Sequence, residues 1–347
     1  MKKLLLLLLS IFIFGCQKYY DPFHSKSQWL KDFFSEVQKY DSIRAIAYWN
    51  ENFDNTYLKI NSSKKSLQTF RKLISSPIYL SECRFDQNNK LLPPSGKQKY
   101  FGAFPDFSGS EDTVNISRIK NFEKLINKKI AWAYFSNNWY DTLIFPTEAV
   151  KSIIASGSIP FIRLMPRSEF EQYRKDPRWD FKKIIEKKYD KMLIAWAQEA
   201  KKINSPILVE FGTEVNGDWF SWNGKYYGGG ETQNYGDPNY PDGPEIFRDA
   251  YRHIIEICRE NNVNNITWFF HFDDESEPAQ WWNAPKYYYP GDDYIDWIGI
   301  SSYGPMSKKE KYRDYNPKIL IPRAYMQLRE VSPNKPYAIL EFGCTEM

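Results

Sequence analysis

The sequence lacks a marked excess of charge of either sign. Its 47 lysines and arginines nearly balance 43 aspartates and glutamates, which leaves a formal net charge of +4 over 347 residues. The basic residues are spread along the chain and form no block. Because nucleic-acid-binding proteins concentrate basic residues on one face or segment, we expect no nucleic-acid partner.

Cysteine and histidine are also scarce, at four and three residues respectively. No group of His, Cys, Asp and Glu has the spacing of a metal site, so the sequence predicts no metal and no other cofactor. Outside the N-terminal segment the cysteines are Cys83, Cys258 and Cys344, an odd number that leaves at least one unpaired. Cys258 lies on an apolar helical stripe and is expected to be buried.

The N-terminal segment has the pattern of an export signal. Lys2 and Lys3 precede an apolar run over residues 4–14, which is too short to span a bilayer. Residues 13–16 read Ile-Phe-Gly-Cys and resemble a bacterial lipobox, which predicts cleavage before Cys16 and lipidation of its side chain. An ordinary signal peptide with an incidental cysteine is the alternative. We therefore expect a lipid anchor in the cell envelope, at the outer membrane, on its periplasmic or its surface face.

Aromatic residues are abundant, with 12 Trp, 25 Tyr and 24 Phe. Many stand beside Asn, Asp and Gly rather than inside apolar runs. A sugar ring presents C–H faces that stack on flat aromatic rings and hydroxyls that need polar partners. The composition therefore favours a carbohydrate ligand, although we expect the larger part of these residues to pack inside the core.

Eight short apolar runs mostly alternate with amphipathic segments, a pattern typical of repeated strand–helix units. They cover residues 42–50, 100–106, 129–137, 159–167, 206–214, 265–273, 296–303 and 336–343. Eight parallel strands close a barrel, so the predicted fold is α/β, a single (β/α)8 barrel, which we expect to be monomeric. Two long aromatic loops, residues 219–241 and 274–292, are expected to border a cleft.

Alternation along these runs separates side chains that face the barrel axis from those that face the helices. Glu214 and Glu341 both fall on the axial side near the C-terminal ends of their strands, where barrel enzymes carry their chemistry. The same alternation places further residues there: Trp49, Asp106, Arg163, Arg167, His271, Asp273, Ser301 and Tyr303. Two carboxylates at one mouth are what glycosidic cleavage requires. The alternatives are an exposed turn residue for Glu214 and a structural ion pair with Arg163 for Glu341.

Four segments carry a family resemblance: TEVNGDWFSW around Glu214, ITWFFHF, YYPGDDYIDWIGISSYG, and LEFG around Glu341. Together they resemble glycoside hydrolase family 26, a family of retaining barrel enzymes that includes β-mannanases. The resemblance implies that Glu214 is the general acid/base and Glu341 the nucleophile, with Tyr303 hydrogen-bonded to the nucleophile. With the loop and parity arguments, the expected substrate-binding residues are Trp49, Arg163, Asn216, Trp219, Trp222, His271, Trp282 and Tyr303.

Two residues depart from the family pattern. Thr213 stands where a histidine commonly precedes the acid/base, and Glu210 stands where an arginine is common. A second axial carboxylate one strand repeat below Glu214 would share a proton with it or signal a different sugar in the cleft.

The order of the segments departs as well. The helix and strand that follow the nucleophile in the family stand here at the front, at residues 28–40 and 43–51. The sequence therefore predicts a circularly permuted barrel in which residues 43–50 pair between residues 100–106 and 336–343; a truncated gene is the alternative. The expected organisation is a signal peptide over residues 1–16, a linker over 17–27 and one barrel domain over 28–347.

Three functions remain open from the sequence. The first is a retaining endo-acting hydrolase of β-1,4-mannan or manno-oligosaccharides. The second is the same mechanism on mixed-linkage glucan or xylan. The third is a surface lipoprotein that binds glycans without turnover, which the departures at Thr213 and Glu210 allow.

Overall fold

Eight parallel strands form the centre of the protein in a computed structural model that describes residues 25–53, 56–170, 173–307 and 315–346. The predicted signal segment and Cys16 lie outside the described residues. The barrel strands are β1 (Ile43–Trp49), β2 (Lys99–Phe104), β3 (Trp132–Asn138), β4 (Ile159–Met165), β5 (Ile207–Phe211), β6 (Ile266–Asp273), β7 (Trp297–Ser301) and β8 (Tyr337–Phe342). Each lies within one of the predicted runs or within one or two residues of it, so the predicted strand set is confirmed.

The barrel closes through its first strand. β2 to β8 pair in chain order, and β1 pairs in parallel with both β2 and β8. Ala45 of β1 aligns with Tyr100 on one side and with Ala338 on the other. These are the two neighbours that the permuted order predicts, and without β1 both flanking strands would have open edges.

Eight helices surround the strands, and all are amphipathic segments that the sequence predicts as helical. They are α1 (Lys26–Val37), α2 (Lys64–Ile74), α3 (Ile116–Ile126), α4 (Thr147–Ser156), α5 (Phe181–Ile185), α6 (Asp190–Ile203), α7 (Asp242–Glu260) and α8 (Pro317–Val331). The amphipathic pattern over residues 181–203 predicts one helix, and this prediction is wrong. The helix is interrupted between α5 and α6, where Lys187 adopts a φ of 65°. No helix in the described ranges combines the length and apolar character needed to cross a membrane.

Aromatic rings fill the barrel axis below its C-terminal end. Phe161 lies 4.7 Å from both Tyr134 and Phe269, measured between ring centroids, and Trp297 continues the contact from Phe269 at 5.6 Å. These rings come from four different strands and share the axial parity that the alternation predicts. They form an apolar floor, so polar axial side chains are confined to the layer above it.

The first helix begins beside the mouth of the barrel. The Lys26 ammonium is buried and donates to the carbonyl oxygens of Leu58 and Lys59 at 2.8 and 2.9 Å, in the segment that follows β1. Helix α1 thus includes the last two residues of the predicted linker. Ser62 Oγ contacts both Lys26 Nζ, at 3.3 Å, and the Glu346 carboxylate, at 3.0 Å. The permuted order also predicts that Met347 lies close to Ser27, but Met347 lies outside the described residues.

Candidate active site

The C-terminal ends of the strands open into a cleft of about 710 Å³. Its lining contains side chains from the ends of β1, β4, β6 and β8 and from the loops that follow the strands. The described lining residues are Trp49, Glu51, Phe53, Glu111, Arg163, Arg167, Phe170, Tyr173, Glu214, Trp219, Phe220, Asp273, Asp274, Glu275, Glu277, Tyr303, Gly304, Met306, Tyr315, Leu320, Arg323 and Glu341.

Glu341 lies at the base of this cleft, on the axial side of β8. Its carboxylate is 4% exposed: Oε2 accepts a hydrogen bond from the Tyr303 hydroxyl at 2.7 Å, and Oε1 lies 3.4 Å from Arg163 Nη2. Burial raises the pKa of Glu341 to about 7; Arg163 and the Tyr303 hydrogen bond act against this rise, whereas the charge of Glu214 adds to it. Tyr303 therefore occupies the position that the family resemblance implies.

Glu214 reaches the cleft from beyond the end of its strand. Strand β5 ends at Phe211, and Gly212 and Glu214 both adopt left-handed conformations, with φ of 61° and 47°. A non-glycine residue in this region is uncommon and clusters at functional sites. Glu214 Oε2 accepts a hydrogen bond from Trp219 Nε1 at 3.0 Å, which fixes the carboxylate against the cleft wall.

A buried polar layer separates the two carboxylates from the aromatic floor. Glu210 is fully buried, accepts a hydrogen bond from the Tyr134 hydroxyl, and lies 2.9 Å from His271 Nδ1. Burial by itself raises the pKa of Glu210, but the charges of His271 and Arg163 hold it below its usual range. The pKa of His271 is raised, because Glu210 outweighs the effect of burial. Glu210 is thus paired with His271 and Arg163.

Thr213 completes the contacts of His271. Its Oγ1 lies 2.9 Å from Nδ1 of the histidine, and the opposite ring nitrogen lies 2.9 Å from Ser301 Oγ. Thr213, which departs from the family pattern, is therefore part of the buried polar layer and extends into it from the turn after β5. His271 is 1% exposed and does not line the cleft, so it can support the site but not contact a sugar.

Asp273 places a third carboxylate beside Glu214. Burial raises its pKa well above the usual range, and the neighbouring charges of Glu214 and Asp274 raise it further. The pKa of Asp274 is raised to about 6 by burial, against the opposing effect of Arg323. Glu51, on the far side of the cleft, has its pKa raised to about 7, again chiefly by burial. Among the described lining residues, carboxylates outnumber arginines eight to three.

Exposed aromatic rings border the cleft. Phe53, Phe170 and Tyr173 are 40%, 57% and 65% exposed, although large apolar rings are normally buried. Trp219 is half-buried in the same wall. Trp49 differs: it is 5% exposed, with its ring stacked on Phe104 and the Arg163 guanidinium 5.0 Å from its centroid. Trp49 lines the cleft as predicted but leaves little ring surface for a ligand.

Three other predicted substrate-binding residues lie outside the cleft. Trp222 is fully buried, donates to the Thr213 carbonyl at 2.8 Å and stacks on Phe220, so its prediction as a sugar platform is wrong. Asn216 is also fully buried and bonds the backbone of Asp273 through both amide atoms. Trp282 packs over Gly230 in the long loop, away from the cleft lining. Trp222, Asn216 and Trp282 therefore stabilise the conformation of the loops and do not line the cleft.

Several lining residues were missed because they lie outside the strands, on a loop or on a helix. Glu111 bonds Arg163 and Arg167 at 3.2 and 3.3 Å, and Arg323 forms ion pairs with Asp274 and Glu275. Strand alternation gives no information on such residues. The acidic and polar composition of residues 108–113 was the available signal for Glu111.

The arrangement provides two carboxylates, one on β8 and one in the turn after β5, in a cleft bordered by aromatic rings. Each carboxylate accepts a hydrogen bond. Within the described part of the chain, no group of three or more His, Cys, Asp or Glu is placed to hold a metal ion. Proton transfer and nucleophilic attack by carboxylates are the chemistry that these side chains can supply.

Comparisons with known proteins agree with this geometry. A profile of glycosyl hydrolase family 26 matches residues 171–339. Endoglucanase H of Acetivibrio thermocellus is 26% identical over 238 residues, which cover 67% of this chain and 23% of the relative. Mannan endo-1,4-beta-mannosidase A and B of Caldalkalibacillus mannanilyticus is 26% identical over 136 residues, covering 38% and 21%. The chain thus spans less than a quarter of the length of these relatives.

Among solved structures, the Bacillus subtilis mannanase BCman is 17% identical, with 84% of this chain and 89% of that chain covered and a TM-score of 0.45. The profile match includes the loop that carries Glu214 and the strands β5, β6 and β7. Over residues 171–339, just under half of its length, the chain is similar to glycosyl hydrolase family 26.

Proposed function

We propose that the protein is a retaining, endo-acting glycoside hydrolase that cleaves β-1,4-mannan or manno-oligosaccharides. The proposal rests on one observation: the carboxylates of Glu214 and Glu341, each hydrogen-bonded to a neighbouring side chain, line the same cleft, and exposed aromatic rings border it. A carboxylate pair that flanks a sugar is the common machinery of glycosidic cleavage.

In the proposed first step, the Glu341 carboxylate attacks the anomeric carbon while protonated Glu214 donates its proton to the departing glycosidic oxygen. In the second step, ionised Glu214 takes a proton from water, the water oxygen attacks the anomeric carbon, and Glu341 is released. Arg163 and Tyr303 support this assignment, because both stabilise the charged form of Glu341 that must attack.

The charge of the cleft supports a neutral polysaccharide. Eight carboxyl groups and three arginines line the described cleft, which makes it formally acidic in a chain whose net charge is +4. Burial raises the pKa of four of these carboxyls, so the negative charge of the cleft grows as the pH rises. A glycan that carries uronic acids would meet repulsion there. Unsubstituted mannan and glucomannan avoid this repulsion.

A second candidate is the same mechanism on mixed-linkage glucan or xylan. The alignment with a relative named endoglucanase over 67% of the chain favours the glucan. The experiment is incubation with mannan, mixed-linkage glucan, plain xylan and glucuronoxylan, followed by product mass and linkage analysis. We expect oligosaccharide fragments released from within the mannan chain. Fragments from glucan or xylan alone would show that the substrate is that glycan and not mannan. Binding of the glycans without hydrolysis of any of the four would indicate a glycan-binding protein.

We further propose that lipidation of Cys16 holds the protein at the cell envelope. The start of α1 beside the barrel mouth supports an anchor near the cleft, because only a short segment separates Cys16 from Lys26. Labelling with a radioactive fatty acid is expected in the wild-type protein and lost in Cys16→Ala. Equal labelling of both would contradict the proposal.

A further inference from the structure

Arg163 lies among three carboxylates at the base of the described cleft and contacts all of them. Its Nη1 lies 3.2 Å from Glu111, its Nη2 3.4 Å from Glu341, and its Nε 3.7 Å from Glu210. The guanidinium is 4% exposed, so water does not screen these interactions effectively. The more closely the Arg163 guanidinium pairs with one of these carboxylates, the less it stabilises the negative charge of the other two.

The three carboxylates differ in their other partners. Glu210 also has His271, and Glu341 has a hydrogen bond from Tyr303. Glu111 has the shortest of the three contacts with Arg163. It also accepts hydrogen bonds from Ser136 at 2.8 Å and from Arg167 at 3.3 Å. Glu341 Oε1 itself makes no hydrogen bond with any described residue despite its proximity to Arg163. The arginine is therefore oriented towards Glu111 more than towards the catalytic carboxylate.

We propose that Glu111 is a positioning residue that controls the nucleophile indirectly, by holding the guanidinium of Arg163 that Glu341 shares. This inference rests on the proposed role of Glu341. Glu111 comes from the loop after β2, whereas Arg163 lies on β4 and Glu341 on β8, so the loop acts on the nucleophile through one intervening side chain. Neutralising Glu111 frees the cation for Glu341 and removes a nearby negative charge.

Both effects favour the ionised form of Glu341. Groups from every surrounding strand contribute to the charge balance of this carboxylate. The titratable groups that face it or its arginine are Glu51 after β1, Glu111 after β2, Tyr134 on β3, Arg163 on β4 and Arg167 after it, Glu210 and Glu214 on and after β5, His271 on β6 and Tyr303 after β7. Only the charge of Glu111 is altered in the test.

The test is Glu111→Gln, which retains an oxygen that can accept from Arg163. We expect the ionisation of Glu341, followed by carbon-13 NMR of glutamate carboxyls and assigned by the signal lost in Glu341→Gln, to move to lower pH by about half a unit or more. The acid limb of kcat/KM should move in the same direction. An unchanged or upward-shifted titration would overturn the proposal.

Two comparisons separate charge from structure. Glu111→Asp keeps the charge, so Glu341 in this variant should titrate close to its wild-type pH. A shift of the Glu341 titration equal to that in Glu111→Gln would assign the effect to loop geometry and contradict the proposal. Glu275→Gln removes a cleft carboxylate that pairs with Arg323 instead, and should leave the Glu341 titration in place. A comparable shift there would mean that any cleft charge acts in this way, which also contradicts it.

Arg163→Gln should move the Glu341 titration in the opposite direction, to higher pH. If this variant does not fold, the Glu111 variants decide the question alone. The NMR titration needs no substrate, so it tests the positioning role separately from the proposed function. A downward shift in a protein that hydrolyses none of the tested glycans would support the positioning role and contradict the proposed function. Hydrolysis of mannan by a protein whose Glu341 titration does not shift in Glu111→Gln would support the function and contradict the positioning role.

Discussion

Trp219 donates its indole hydrogen to Oε2 of Glu214 at 3.0 Å, and its ring packs over the backbone of Gly217. The ring would contact a side chain at residue 217, so the turn after β5 can carry Trp219 in this position only because it has glycine there. One side chain thus borders the cleft and holds the carboxylate that we propose as acid/base.

Trp219→Ala is expected to weaken oligosaccharide binding roughly 3- to 10-fold, because a stacked aromatic pair contributes about 0.5–1.5 kcal/mol. The melting temperature should change little, since the ring is half-buried. Calorimetric titration with manno-oligosaccharides measures the first quantity. Trp219→Phe is the matched control: it keeps a ring for binding but loses the hydrogen bond, and should lower kcat more than it weakens binding.

Trp222→Phe should behave in the opposite manner. This indole is fully buried and bonded to the Thr213 carbonyl, so its replacement leaves a small cavity and an unpaired carbonyl. We expect a loss of about 1–3 kcal/mol in the free energy of unfolding, with unchanged ligand binding at temperatures where the variant is folded. Weakened binding with unaltered stability would instead place Trp222 in the binding surface.

Glu341→Gln and Glu214→Gln are each expected to lower hydrolysis by at least about 100-fold while preserving the fold, because each removes a carboxylate at nearly constant volume. Circular dichroism checks the fold. Azide should restore turnover in Glu341→Ala and give a glycosyl azide of inverted configuration. Rescue at Glu210 or Asp273 in place of Glu341 would show that the nucleophile is misassigned.

Tyr303→Phe should move the acid limb of kcat/KM to higher pH. Glu341 must be ionised to attack, and its hydrogen bond from Tyr303 lowers a pKa that burial raises to about 7. Loss of the bond raises the pKa again, so activity falls away at a higher pH than in the wild type. A pH profile of both proteins on the same soluble substrate measures the displacement, and a downward displacement would contradict the assignment.

A chain reordered to begin at Lys97 and end at Gly96, with Glu346 and Ser25 joined through a short linker, should fold and retain activity. Lys26 and Glu346 both contact Ser62, so the joined ends are close, and the cut falls at an exposed turn. The control is the same chain without residues 25–96, which lacks β1 and should not fold. Failure of the joined form under conditions where the wild type folds would contradict the proximity of these ends.

Strand periodicity predicted the barrel and the axial positions of Arg163 and Glu341, because both lie within regular strands where alternation is strict. It was less informative for Glu214, since β5 ends at Phe211 and backbone turns orient the residues that follow. Trp222 follows the same turn, and the sequence offers no periodic signal to distinguish its buried ring from the half-buried ring of Trp219.

Contacts across loops were not predictable for the same reason. Glu111 reaches Arg163 from a connection whose conformation depends on the assembled barrel. The exposed rings of Phe170 and Tyr173 likewise depend on how the loop after β4 lies over the cleft. The departures at Thr213 and Glu210 were visible as residues, but only the fold shows that both contact His271.

The seam between β1 and β8 has a consequence for synthesis. During synthesis β1 is the first barrel strand to be made and its partner β8 is the last. The strands β1 and β7 therefore keep unpaired edges until β8 pairs between them. Contacts of such long separation form slowly. Because Glu341 lies on β8, the step that closes the barrel also adds the carboxylate that we propose as nucleophile, after the loop with the exposed ring of Phe170 has already been synthesised.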